Sequence, residues 1–92
     1  MPVARLVRSV GERWNGEGYP DGLAGAQIPL GSRVVAVCAA YAAMISEQPH
    51  SVGMRPARAL EELRRVAGDQ FDPDVVQAFE RVAEARGLLA PA

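Results

Sequence analysis

The sequence predicts an all-α protein with four helices and a long Gly-rich loop after the first helix. Three observations support this fold class. Apolar residues recur at helical spacing in four segments, and no segment reads as a strand. Gly and Pro residues cluster between these segments rather than inside them. The length of 92 residues suits one small domain, so we take residues 1–92 as a single unit.

The first helix is predicted over residues 3–13, because apolar residues recur there on one face. These residues are Val3, Leu6, Val7 and Val10. Residues 15–22 then read Asn-Gly-Glu-Gly-Tyr-Pro-Asp-Gly, with a Gly or Pro at every second position from Gly16. Such a segment cannot continue a helix or form a central strand, so it is predicted to be a loop.

The second helix is predicted over residues 29–46, with Pro29 in its first turn, where the missing N–H is not needed. No charged residue occurs from Val34 to Ile45. A helix that is apolar all round is normally buried all round. We therefore expect this helix to be central, with Cys38 as a buried small apolar residue.

The third helix is predicted over residues 56–67 and is closed by Gly68, because glycine commonly follows the end of a helix. Asp72 is predicted to cap the fourth helix, which runs over residues 73–86 and ends at Gly87.

Composition excludes several classes of function. All 10 basic residues are Arg, and they are balanced by 11 acidic residues without blocks of one sign. This argues against a nucleic-acid-binding surface and against a polybasic membrane patch. No uncharged apolar stretch reaches the roughly 20 residues of a membrane helix, and the N-terminus lacks a secretory pattern. We expect a cytoplasmic protein that binds neither nucleic acid nor membrane, and its one cysteine allows no intrachain disulfide.

The segment from Glu12 to Leu23 resembles the signature of the HD-GYP family, which reads roughly His-His-Glu-Arg-x-Asp-Gly-x-Gly-Tyr-Pro-x-Gly-Leu. The likeness continues at residues 28–37, 40–44, 59–63 and 68–73, and it covers nearly all of residues 5–86. The resemblance implies an HD-type helical domain. It also implies that this chain is a truncated domain, because the likeness lies in the C-terminal half of the family and the first half is absent.

The resemblance further implies a chemistry. Members of the family use metal ions to activate a hydroxide against a phosphodiester, usually that of cyclic di-GMP. The first half of the domain supplies a His-Asp pair and other ligands. The second half should supply two adjacent histidines before the glutamate and an aspartate in the following helix.

In this sequence the two histidine positions are Val10 and Gly11, the aspartate position is Ala39, and a second family aspartate is Ala42. None of these residues has a side-chain donor for a metal ion. We therefore predict that the chain is not an enzyme, with no catalytic, cofactor-binding or metal-binding residue. Although Glu12 keeps the family identity and could act as a base, it has no metal or histidine beside it.

Nucleotide binding is also put in question. Family members often carry an Asp-Arg-Pro-Tyr-Arg-like segment after the central helix, where this chain has Glu47-Gln48-Pro49-His50-Ser51. Gln48 replaces the guanidinium that would pair with a phosphate. The only histidine, His50, is interpreted as a surface or capping residue.

Two explanations remain open for the Gly-Tyr-Pro loop. It is either a contact loop for a partner, as the resemblance implies, or a structural element. In the second case Gly18 needs a backbone φ that only glycine adopts cheaply, and Tyr19 and Trp14 cover helix ends. The candidate contact residues are Glu12, Arg13, Trp14, Gly16, Gly18, Tyr19, Pro20, Asp21 and Gly22.

The uncharged central helix predicts a need for a partner, because the helices that would cover its second face are absent. The candidate assembly surface comprises Val34, Val35, Tyr41 and Ile45, together with Val37 and Cys38. We expect a homodimer with the first or the central helix in the interface, or else a protein that supplies the missing helices. The chain could also be a piece of a longer protein.

The sequence therefore predicts an inactive HD-GYP-like module that acts through protein–protein interaction or self-assembly. Two alternatives stay open. One is a regulatory domain that binds a cyclic dinucleotide, and the other is half of a split metal-dependent phosphodiesterase that another chain completes.

Overall fold

A computed structural model describes residues 3–50 and 52–87 of the chain. Within those residues the protein has no strand, and it has two isolated bridges, Asn15–Ala24 and Ala67–Phe71. The all-α prediction is confirmed. The four helices are α1 (Val3–Arg8), α2 (Leu30–Ile45), α3 (Pro56–Val66) and α4 (Pro73–Ala85). No helix in the described part is long and apolar enough to cross a membrane.

The first helix is shorter than the predicted span of 3–13. Helix α1 ends at Arg8, and a 3₁₀ turn, Ser9–Gly11, leads into an extended Glu12 with φ −72° and ψ 147°. Helix α1 contacts the start of α2, because Ser32 Oγ donates a hydrogen bond of 2.8 Å to the carbonyl oxygen of Leu6. A Cβ atom on Gly31 would lie 2.9 Å from Leu6 Cδ2, so the two helices approach closely there.

Helix α2 is central, but it is not buried all round as predicted. Its buried residues are Ser32, Val37 and Tyr41, whereas most of its other side chains are partly or fully exposed. The prediction fails because the elements that contact α2, which are α3, α4, α1 and the turn Ser9–Gly11, leave much of its surface open. Pro29 also lies just before the helix rather than in its first turn.

The core lies between α2, α3 and α4. Val37, Leu60 and Leu63 are at most 1% exposed, and burying each of them contributes roughly 1.5–3 kcal/mol. The aromatic rings of Tyr41 and Phe79 meet with their centroids 4.9 Å apart.

The junction before α4 shows why that helix starts where the sequence predicts. The Asp72 carboxylate accepts hydrogen bonds from the N–H groups of Asp74 and Val75 and so caps α4. It also pairs with the Arg33 guanidinium at 2.6 Å, with 3% and 18% of the two side chains exposed. The same guanidinium donates to the carbonyl oxygen of Ile28. This pair joins the start of α2 to the start of α4.

Candidate functional site

Glu12 organises the loop that follows α1. Its side chain is buried, and its two carboxylate oxygens accept hydrogen bonds from the N–H groups of Asp21 (2.8 Å) and Leu23 (2.9 Å). The carboxylate therefore satisfies two backbone donors that the loop would otherwise leave without partners. The retained identity of this residue has a structural explanation, because the carboxylate already has two partners in the loop.

Further bonds hold the loop at both ends. The N–H groups of Trp14 and Asn15 donate to the carbonyl oxygens of Gln70 (3.0 Å) and Asp69 (2.9 Å), which belong to the turn before α4. Asn15 Nδ2 also donates to Asp69 Oδ1 at 2.7 Å. These contacts fix the loop against the helical core.

The tip of the loop is tied to α1 by an ion pair. The Arg8 guanidinium donates two hydrogen bonds of 2.9 Å to the Asp21 carboxylate. This hydrogen bonding lowers the pKa of Asp21 from its ordinary value and raises that of Arg8. Both side chains are exposed, so the pair is a weak tie compared with the buried contacts of Glu12.

The expectation that Gly18 needs a special φ is wrong. Positive φ values occur at Gly16 (87°) and Gly22 (65°) but not at Gly18. A Cβ atom on Gly18 would instead collide with the backbone of the preceding turn, at Gly11 O (2.5 Å) and Glu12 C (2.7 Å) and with the N–H of Arg13. Glycine is required here because the loop passes directly against its own beginning.

The two aromatic residues of the loop lie near helix ends, Tyr19 at Gly11, the last residue of the 3₁₀ turn, and Trp14 at Arg33, in the first turn of α2. Tyr19 is 74% exposed, and its ring lies over Gly11, where an added Cβ atom would be 2.9 Å from Tyr19 Cε2. Trp14 is half-buried, with the Arg33 guanidinium 6.0 Å from its ring centroid. Pro20 follows Tyr19 through a cis peptide bond and is exposed. The exposed tip is therefore available for contact, whereas its base is structural.

Three of the four family ligand positions meet at one place. Val10, Gly11 and Ala39 line a single open hollow of about 290 Å³ beside α2. Three other walls, Glu12, Arg13 and Tyr19, are among the candidate contact residues that the sequence singled out. The sequence did not identify the remaining walls, which are Ala36, Ala40, Gln70 and Phe71. Ala42 does not line the hollow and lies almost one turn further along α2.

The residues of the hollow do not fit a metal ion. Val10, Gly11 and Ala39 have no donor atom, and the Glu12 carboxylate is already bound to two N–H groups. Among residues 3–50 and 52–87 there is no group of three His, Cys, Asp or Glu side chains that could hold a metal. A histidine at position 11 would also require the Tyr19 ring to move.

A second surface lies on another side of α2, as an apolar groove of about 580 Å³ between α2 and α4. Apolar side chains form most of its walls, including Leu30, Val34, Cys38, Val75, Phe79 and Val82. The charged side chains in its lining, Arg33, Asp72 and Asp74, come from the first turns of the two helices or the residue before them.

The candidate assembly surface is only partly where the sequence placed it. Val34 (42%), Val35 (49%) and Ile45 (37%) are exposed, but Tyr41 is only 7% exposed, because it packs on Phe79 in the core. Cys38 shows the opposite error, since it was predicted to be buried and is exposed. Because Val34 to Ile45 contains no charged residue, the sequence gives no pattern that tells the buried face of this part of α2 from its open one.

Comparison with known proteins identifies what this arrangement is similar to. A family model described as HD domain matches residues 1–75. The crystal structure of a cyclic GMP-AMP-specific phosphodiesterase of Vibrio cholerae matches 96% of this chain with a TM-score of 0.80 and 31% identity. This chain covers 20% of that one.

Curated relatives give the same result. A cyclic di-GMP phosphodiesterase of Thermotoga maritima is 38% identical over 76 residues, which are 83% of this chain and 21% of the relative. The cyclic di-GMP phosphodiesterase response regulator RpfG of Xanthomonas campestris is 43% identical over 70 residues, 76% of this chain and 18% of the relative. The chain thus spans about a fifth of the length of these relatives.

These names contradict one prediction from the sequence. We predicted that the chain is not an enzyme, on the basis of Val10, Gly11 and Ala39. That prediction is wrong, because the relatives that match most of the chain are named as phosphodiesterases. The missing donor atoms describe what this segment lacks and do not decide what it does.

Proposed function

Because this chain belongs to the HD domain family, as its Gly-Tyr-Pro loop predicted, we propose that it forms one half of an HD-type phosphodiesterase domain. The other half comes from a separate polypeptide or from another part of a longer one. The complete assembly acts on a cyclic dinucleotide in the cytoplasm. The observation that supports this most directly is the hollow in which Val10, Gly11 and Ala39 meet.

The hollow has the form of an incomplete site. It is concave, it is open, and its walls come from the turn after α1, from α2 and from the segment before α4. Three wall residues occupy positions where the resemblance places metal ligands, yet they contribute no donor atom. Any ligands for metal ions in the assembly are therefore supplied by the completing half. This chain supplies the walls and the loop held by Glu12.

The outer face of α2 is suited to receive the completing half. Val35, Ala39 and Ala42 are exposed and follow one another along the helix beside the hollow. Their small side chains allow another helix to approach closely, and no charge from Val34 to Ile45 would be left buried without a partner. Contact on this face would close the hollow and cover apolar surface at the same time.

Reconstitution tests the proposal. The chain is expressed together with the half-domain that precedes the matched segment in the Thermotoga maritima relative, and the mixture is analysed by size-exclusion chromatography with light scattering. We expect a one-to-one complex. Because this chain contributes no donor atom, the complex hydrolyses cyclic di-GMP or 3'3'-cGAMP only through metal ions held by ligands of the first half, and neither half does so alone. Failure of the two halves to associate would reject the proposal. Association without hydrolysis would retain the assembly and reject the reaction.

A pair of variants locates the contact. Ala42→Arg places a long charged side chain on the outer face of α2 and is expected to abolish the complex. Gln77→Arg makes the same kind of change at an exposed position of α4, outside the linings of the hollow and of the α2–α4 groove, and is expected to leave it intact. Equal binding by both variants would place the contact elsewhere on the molecule.

Binding of a cyclic dinucleotide by the chain alone is a second candidate function. The lining of the hollow favours it, because the Arg13 guanidinium can pair with a phosphate and the Tyr19 ring can stack on a base. Isothermal titration with cyclic di-GMP tests this directly. Saturable binding that Arg13→Ala weakens would support it, and no heat of binding would exclude it.

A further inference from the structure

The groove between α2 and α4 lies on a different side of α2 from the outer face. Cys38, a groove residue, directly precedes Ala39, which lines the hollow, and successive residues of a helix point about 100° apart. The occupant of the groove is therefore independent of the half-domain proposed to complete the hollow. We infer that the occupant is α1 of a second copy of this chain, in a symmetric homodimer.

The groove is long enough to hold a short helix. Helices α2 and α4 run side by side in the same direction, because Arg33 pairs with Asp72 near both starts and Tyr41 meets Phe79 further along both. From Leu30 to Cys38 the groove extends about 12 Å, which is slightly more than two helical turns. Helix α1 has 6 residues, which make slightly fewer than two turns and a length of about 9 Å, so it fits within the groove.

Helix α1 presents a matching apolar row. Val3 and Val7 are 73% and 67% exposed, and they lie one turn apart on the same face, about 5–6 Å between Cβ atoms. Leu6 is directed elsewhere, because it packs on Gly31 of its own chain. On the groove side, Leu30 (57%) and Val82 (58%) are similarly exposed. Placing the row in the groove would cover both surfaces in one contact.

The charges of the two surfaces are opposite. The segment Val3–Arg8 contains two Arg and no acidic residue, and with Arg8 paired to Asp21 the net charge of this surface is +1, from Arg5. The mouth of the groove has Asp72 and Asp74 against one Arg33, which gives −1. Arg33 pairs with Asp72, and no ion pair within residues 3–50 and 52–87 involves Asp74. The attraction therefore acts between α1 and an acidic mouth.

Twofold symmetry follows from the position of α1. Helix α1 lies against the first turn of its own α2, held by the bond from Ser32 Oγ to Leu6 O, and Leu30 at this turn also forms one end of the groove. The helix that carries the apolar row thus lies beside one end of the groove. A twofold axis near this end would let each copy insert α1 into the groove of the other, so that the contact closes as a dimer and does not propagate.

Analytical ultracentrifugation and cysteine reactivity test the dimer together. The full chain is expected to sediment as a dimer, and Val7→Asp and Val34→Asp are each expected to sediment as monomers with unchanged helical circular dichroism. Both positions are exposed, so neither change should unfold the monomer. Val52→Asp is the control, because Val52 is 86% exposed in the connector before α3 and outside both surfaces.

Cys38 is the only cysteine and lies in the groove wall. Its alkylation by N-ethylmaleimide is expected to slow about tenfold once nine tenths of the chain is dimeric, because only the monomer exposes it. Val7→Asp should restore the fast rate. Oxidation of a Val7→Cys variant should produce a covalent dimer through the groove thiol, whereas Val52→Cys should not.

A monomer at all concentrations would overturn the inference and leave the groove to a different polypeptide. A dimer that resists both aspartate variants and keeps Cys38 reactive would also overturn it, because the interface would then lie elsewhere. Neither result depends on the reconstitution of hydrolysis, so the two proposals fail separately.

Discussion

The substitution Glu12→Gln tests whether one carboxylate holds the Gly-Tyr-Pro loop in place. Gln has nearly the same shape as Glu, but it offers one oxygen and one NH₂ group where Glu offers two oxygens. The Glu12 carboxylate accepts hydrogen bonds from the N–H groups of Asp21 and Leu23, at 2.8 and 2.9 Å. In the variant, one of these N–H groups keeps the amide oxygen of Gln as its acceptor, whereas the other faces the NH₂ group, which is itself a donor.

The expected cost follows from these two bonds. A hydrogen bond to a charged group contributes about 1.5–3 kcal/mol, and a buried donor without a partner costs about 1–3 kcal/mol. Since Glu12 is only 6% exposed, water cannot easily replace the lost acceptor. We expect Glu12→Gln to lower the free energy of unfolding by about 2–4 kcal/mol. That is a large share of the about 5–15 kcal/mol typical of a domain.

Urea unfolding followed by tryptophan fluorescence and by circular dichroism measures the change. Trp14 is the only tryptophan and lies at the base of the loop, so it reports local loosening as well as global unfolding. Glu17→Gln is the matched control, because Glu17 is exposed and should change stability by less than about 0.5 kcal/mol. If Glu12→Gln unfolded at the same urea concentration as the control, the carboxylate would not be the anchor of the loop.

Three further changes test other contacts. Arg33→Met removes one partner of a mostly buried ion pair and should cost about 3–5 kcal/mol in urea unfolding, and a cost below about 1 kcal/mol would show that the pair is dispensable. Gly18→Ala should destabilise the chain more than Gly25→Ala, because the added Cβ collides with backbone at Gly18, whereas at Gly25 it meets no atom within 4 Å and costs only the strain of a φ of 55°, and equal melting temperatures would contradict this. The lowered pKa of Asp21 means that its stabilising contribution is present above 3.8 and is lost as the pH falls below that value. Arg8→Ala should therefore flatten the acid side of the stability curve at low salt, and an unchanged curve would show that the ion pair contributes nothing.

The positions of the helices could be predicted from the sequence because Pro and Gly mark their ends. Helix α4 starts at Pro73 behind an Asp72 cap, and α3 ends just before Gly68, which has a φ of 85°. These signals are local, so a single sequence contains them. The end of the first helix was missed because the 3₁₀ turn and the extended Glu12 depend on the loop that the carboxylate binds.

The burial of individual residues could not be predicted in the same way. Cys38 and Tyr41 lie three residues apart in the uncharged part of α2, yet one is exposed and the other is in the core. Nothing in the pattern of α2 separates its faces, since both are apolar, and only the positions of α3 and α4 decide between them. The Arg33–Asp72 pair was missed for a related reason, because its partners are 39 residues apart and meet only after folding.

The resemblance predicted where the ligand positions lie but not what the loss of donor atoms means. Val10, Gly11 and Ala39 do converge, as positions of one site should. From their chemistry alone we predicted no enzyme, and the relatives contradict that prediction. The error was to treat a segment that spans about a fifth of its relatives as if it had to contain a whole site.

The two proposals together explain why α2 is uncharged on every side from Val34 to Ile45. A helix packed on one side only would normally have charged residues opposite its buried face. Here the buried face is that of Val37 and Tyr41, and both remaining sides are apolar: the side of Ala39 borders the hollow and the side of Cys38 forms the groove. Covering both apolar sides requires two binding partners, because a single partner would leave the other side exposed to water. If two partners cover these two sides of α2, Ala42→Arg should abolish the contact with the completing half-domain. Val34→Asp should abolish the homodimer.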